Sequence, residues 1–77
     1  MKNVEIYSTE NCHFCHMAKD FFTENNVKFT DKNAAADPLA RREAIDKSGQ
    51  MGVPVIDIDG QIVVGFNEPK LKELLKI

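Results

Sequence analysis

Two apolar runs, residues 53–59 and 61–66, are joined by Asp59-Gly60. An Asp-Gly pair between such runs signals a two-residue hairpin, because both central residues of the favoured turn need positive φ. The chain must therefore build an antiparallel pair near its C-terminal end. Ahead of it the apolar period switches back and forth. Residues 3–7 alternate and are rich in β-formers, which predicts a strand. From Cys12 to Asn25 the apolar positions Phe14, Ala18, Phe21 and Phe22 recur at spacings of three and four, which predicts a helix. Residues 27–33 alternate again, with Val27 and Phe29 on one face, and read as a second strand. Asp37-Pro38 opens a second helix, Asp as N-cap and Pro at the first helical position, with a stripe of Leu39, Ala40, Ala44 and Ile45. Asn67 caps a last helix lined by Leu71, Leu74 and Leu75. The order βαβ-α-ββ-α predicts an α/β fold in one domain, residues 1–77, with a four-stranded mixed sheet and three helices over its two faces.

A chain this short buries only about 60% of the surface it exposes when unfolded, so its core is thin. The net charge of −2 comes with no basic stripe, which argues against nucleic acid and against an anionic membrane as partners. No apolar run approaches the ~18 residues of a membrane span. The N-terminal residues lack an apolar export segment, and the expected location is the cytoplasm, where thiols stay reduced. A monomer is expected.

The two cysteines and both histidines fall in one stretch, Asn11-Cys12-His13-Phe14-Cys15-His16. As a staple the pair is poor: closing four residues stabilises by about 2 kcal/mol, against ~3 for a fifteen-residue loop. Reactivity is the better reason for them. Cys12 falls at the mouth of a predicted helix, where free N–H groups and the dipole favour a thiolate. Cys15 lies one turn in, within reach for a disulfide after a small adjustment. Cys12 is thus placed to attack a partner's disulfide and Cys15 to release it, with His13 as modulator. Covalent haem on Cys12, Cys15 and His16 would require more apolar wrapping than the chain has to spare. A closed zinc site requires a fourth ligand that the sequence does not supply. Metal ligands are therefore not assigned; a metal or iron–sulfur cluster bridging two copies through the same cysteines is the alternative, and His16 reads as a surface residue.

Pro54 lies just inside the third predicted strand; from the residues alone a trans bond at a strand start is expected. Taken together, Cys12-His13-Phe14-Cys15 opening a helix, Gly52-Val53-Pro54-Val55 opening a strand, the hairpin and the last helix resemble the glutaredoxin family of the thioredoxin fold over essentially the whole chain. The short bacterial and archaeal glutaredoxin-like redoxins are most similar, both the NrdH type that serves ribonucleotide reductase and the YruB type. Gly65, Phe66 and Pro69 match the Gly-Phe-x-Pro of the former. The resemblance implies a thiol–disulfide oxidoreductase acting on protein disulfides, ribonucleotide reductase or a peroxidase among them. It implies a cis Pro54 against Cys12, and a substrate backbone held by Val53. His13, Phe14, Gly65, Phe66 and Asn67 complete the expected substrate surface. No tightly bound cofactor is expected. The electron donor is glutathione or a thioredoxin-reductase-type flavoenzyme. Thr9 stands where glutathione users carry Lys, and Phe66 where they carry a second Gly, which weighs against glutathione.

Tyr7 could edge the site, or be a packed ring with a wet hydroxyl. Met51 reads as packing with some exposure, and residues 40–43 as a solvated helix face.

Overall fold

The computed structural model describes residues 3–50 and 52–77; the expectation for Met51 lies outside them. Seven elements follow in the expected order: β1 (Val4–Ser8), α1 (His13–Glu24), β2 (Thr30–Asn33), α2 (Pro38–Ser48), β3 (Val55–Ile58), β4 (Gln61–Val64) and α3 (Glu68–Leu75). The sheet order is β2-β1-β3-β4. β1 and β2 run parallel, and the other two pairings are antiparallel. Asp59 and Gly60 take φ of 50° and 91°, as the hairpin requires.

The period-2 alternation of the strands divides the core. Val4, Ile6, Ile56, Ile58 and Val63 face one way, beneath Ala18, Phe21 and Phe22 of α1 and Leu71 and Leu74 of α3. Tyr7 and Val55 face the other way, beneath Ala40 and Ala44 of α2. This second layer is thin, and charge completes it. Lys47 continues the inward stripe of α2 and donates to Glu5 at 3.2 Å, Asp57 at 2.7 Å and the Tyr7 hydroxyl at 2.9 Å. Lys32 lies 3.5 Å from Glu5 and 3.4 Å from Glu43.

Several boundaries differ from expectation. Helix α1 ends with Asn26 at φ 58°, its N–H bonding the Thr23 carbonyl and the Val27 N–H bonding that of Phe22. This Schellman closure turns Val27 and Phe29 into the core before β2 starts at Thr30, so neither belongs to the strand. The Val53-Pro54 peptide is cis and β3 begins after it, which overturns the trans bond expected from the residues alone. β4 stops at Val64, where Gly65 turns away at φ 80° and donates to the Pro54 carbonyl at 2.8 Å. Leu39, expected on the inward stripe, is 76% exposed. It is adjacent to inward Ala40 and so sits about 100° round the helix. Among the described residues no helix is long and apolar enough to cross a membrane.

Candidate functional site

β1 ends on the buried Ser8, and a turn carries the chain into α1 with Cys12 as the N-cap. An N-cap side chain accepts a hydrogen bond from the second or third helical N–H, a place usually filled by oxygen. Here the acceptor is sulfur: Cys12 Sγ accepts from the Cys15 N–H at 3.2 Å. The amide is thus aimed at the sulfur from the first turn of the helix, where backbone N–H groups are otherwise free. The Cys12 thiol also reaches the Val53 carbonyl at 3.8 Å, which brings the second motif against the first across 41 residues of sequence. Both cysteines are free thiols.

Cys15 is different in kind. It takes the first core position of α1, facing inward with Ala18, Phe21 and Phe22, and is fully enclosed. Burial pushes its thiol up to about 12, and the adjacent Cys12 side chain adds to the rise. One sulfur is therefore partly open to solvent and faces an amide donor, while the other is shielded and protonated at neutral pH.

Pro54 is buried beside them and Val53 is half-buried. On the Val53 side a recess of about 240 Å³ runs between Thr9, Ala34 and Ala44, with Arg41 on its rim. His13 and Phe14 both point outward, their rings 5.6 Å apart edge to face, and Phe14 is 56% exposed. Gly65 joins the site indirectly, through its bond to Pro54. Phe66 and Asn67 have structural employment: Phe66 packs on the core with its ring 6.0 Å from Phe21, and the Asn67 side chain caps α3 by accepting from Lys70 N–H at 3.2 Å. Tyr7 lies away from the site, fully buried on the α2 face with its hydroxyl donating to Glu43 at 3.1 Å. Its hydroxyl is held by Glu43 and Lys47 in the packed layer under α2. Among the described residues no three of His, Cys, Asp and Glu converge as metal ligands do.

Two local features were not anticipated from the sequence. The His16 ring Nε2 lies 2.7 Å from the Glu10 carbonyl, tying α1 to the turn before Cys12. Lys19, one turn beyond Cys15, pairs with Asp31 at 3.0 Å, and Ser8 donates to the same carboxylate at 2.6 Å. The i, i+4 spacing of Lys19 from Cys15 was the signal available for it.

Comparison with known proteins agrees with this arrangement. The glutaredoxin family model matches residues 4–63. An uncharacterised glutaredoxin-like 8.6 kDa protein in the rubredoxin operon of Clostridium pasteurianum is 42% identical over 73 residues, covering 95% of this chain and 97% of that one. Glutaredoxin 3 of Escherichia coli K12 is 38% identical over 68 residues, covering 88% of this chain and 82% of its own. Among solved structures, a mutant form of the thioredoxin-like protein BC3987 superposes with a TM-score of 0.92 at 34% identity, covering 100% of this chain and 99% of its own. With a family model spanning most of the sequence and a relative matched along nearly its whole length, this chain belongs to the glutaredoxin family.

Proposed function

We propose that the protein is a dithiol thiol–disulfide oxidoreductase that reduces protein disulfides by way of a mixed disulfide. The observation that carries this is the asymmetry of the pair: Cys12 Sγ at the helix mouth, accepting an amide at 3.2 Å, and Cys15 sealed behind it. The Cys12 thiolate attacks a substrate disulfide, forming a bond to one sulfur and expelling the other. Cys15 then attacks Cys12, the Cys12–Cys15 disulfide forms, and the substrate leaves with both its thiols. An extended substrate segment pairs with the backbone at Val53, which gives affinity without demanding one sequence. Substrates are cytoplasmic protein disulfides such as those of ribonucleotide reductase or a peroxidase. The electron donor is a thioredoxin-reductase-type flavoenzyme, because Thr9 stands where glutathione users carry a cation.

The test is turnover of a protein disulfide with two electron sources in parallel, the flavoenzyme and glutathione with its reductase, following NADPH. Turnover with the flavoenzyme alone is expected. Turnover with glutathione alone overturns the donor assignment, and turnover with neither overturns the activity.

A further inference from the structure

The second half of that reaction requires negative charge on a sulfur that has no access to water. Burial and Cys12 oppose ionisation of Cys15, while the Thr9 backbone and Lys19 favour it. Lys19 follows Cys15 by four residues on α1 and so shares its face. Its ammonium is held in place, donating to Asp31 Oδ2 at 3.0 Å and to Ser8 Oγ at 3.3 Å. Ser8 is 3% exposed and locks the same carboxylate at 2.6 Å. Consecutive residues at the end of β1 therefore serve both needs, Thr9 addressing the sulfur and Ser8 the cation. As a stabilising ion pair, Lys19–Asp31 is a weak reason for such an arrangement. Its side chains are 23% and 41% exposed, and exposed pairs are typically worth about 0–1 kcal/mol.

We propose that Lys19, fixed by Asp31 and Ser8, is a positioning residue for the release step, its ammonium supporting the Cys15 thiolate as that sulfur attacks Cys12. The inference rests on the dithiol reading above. The step balances: the proton of Cys15 passes toward the departing sulfur, the Cys15–Cys12 bond forms, and the bond from Cys12 to the partner breaks. The departing partner sulfur leaves with the electron pair and takes up a proton.

The experiment is stopped-flow mixing of the reduced protein with one equivalent of an aromatic disulfide whose thiolate is coloured. The first phase reports attack by Cys12, and the second reports displacement by Cys15. Lys19→Met is expected to leave the first phase unchanged and slow the second about three- to fourfold at neutral pH. For a tenfold loss of thiolate, the greater nucleophilicity of the more basic sulfur recovers about four- to five-tenths of a decade, which leaves a three- to fourfold slowing. Lys19→Arg is expected to restore the second phase, and Asp31→Asn to slow it by a smaller factor. The proposal is overturned if Lys19→Met leaves the second phase at the wild-type rate or slows both phases equally. Should Lys19→Met fail to fold, Lys19→Gln decides on the same criteria. A wild-type protein without a second phase, or a Cys15→Ser variant that keeps one, would instead overturn the dithiol reading.

Discussion

Replacing Lys47 by Met asks how far α2 is held on the sheet by charge. Glu5 and Asp57 stand directly opposite each other across β1 and β3, and Lys47 Nζ lies 3.2 Å from one and 2.7 Å from the other. Met keeps most of the apolar stem, so the charge is what disappears. Two carboxylates then face each other on a half-covered surface, with Lys32 at 3.5 Å the cation left to Glu5. Breaking a fully buried pair costs about 3–5 kcal/mol and an exposed one about 0–1. These side chains are 29%, 22% and 14% exposed for Lys47, Glu5 and Asp57, between those limits. A loss of about 2 kcal/mol is expected, which for a domain of this size lowers Tm by roughly 8–16 °C.

The pH dependence sharpens the test. Burial alone would raise the Asp57 carboxyl, but hydrogen bonds from Lys47 and the Gly60 N–H hold it below its usual range. Burial alone would lower Lys47, but Asp57, Tyr7 and Glu5 raise it. A depressed carboxyl stabilises above its unfolded value, about 3.9, and that contribution is lost as pH falls through the folded value. A raised ammonium stabilises below its unfolded value, about 10.4, and is lost only as pH climbs through the folded one. The pair therefore contributes fully between about pH 4 and pH 10, and acid weakens the wild type. In Lys47→Met, protonating either carboxylate relieves repulsion, so acidification from neutral toward about pH 4 should strengthen the fold relative to wild type. Urea unfolding followed by circular dichroism at both pH values measures this. A loss below about 0.5 kcal/mol, or the wild-type acid response in the variant, refutes the reasoning. Lys47→Met with Asp57→Leu should recover most of the stability, since an apolar pair can replace a buried ionic one.

Other outcomes follow from the same geometry. Cys15→Ser should keep the first attack and accumulate a mixed disulfide with substrate, visible as an adduct by mass spectrometry. Thr9→Lys should introduce measurable glutathione-dependent turnover; its absence would remove Thr9 as the reason for donor choice. Leu39→Lys should alter stability by less than about 0.5 kcal/mol, because the side chain is 76% exposed, and a larger loss would return Leu39 to the core. Asp37→Ala should cost about 1 kcal/mol through loss of the bond to Leu39 N–H at 3.0 Å.

Much of this was legible before the fold was seen. The hairpin could be read from Asp59-Gly60, the helix starts from Asp37-Pro38 and Asn67, and the reactive pair from its place after a strand. These are local signals, in which neighbours in sequence decide the structure. What escaped depended on distant partners. Val27 and Phe29 alternate like a strand, yet the Schellman turn at Asn26 commits them to the core as loop. The weak stripe of α2 could not reveal Lys47 as an inward residue, because its partners Glu5 and Asp57 arrive from two strands. The cis bond at Pro54 was readable only through the resemblance. Lys19 drew no reading from the sequence, because its partners Ser8 and Asp31 arrive from two strands.

The thin second layer has a dynamic consequence. α2 buries the methyl groups of Ala40 and Ala44, and its other main attachment is a polar latch that water can replace. α1 and α3 bury phenylalanines and leucines, for which water is no substitute. Sub-global opening should therefore begin at α2, with its amides exchanging hydrogen well before those of α1. Thr9 and Val53 share a recess with Ala44 of α2, so the excursion that unseats this helix also loosens the wall beside Val53, where the proposed substrate strand would lie. On this reading α2 and the proposed binding groove belong to one cooperative unit, so an occupied groove should slow exchange across α2.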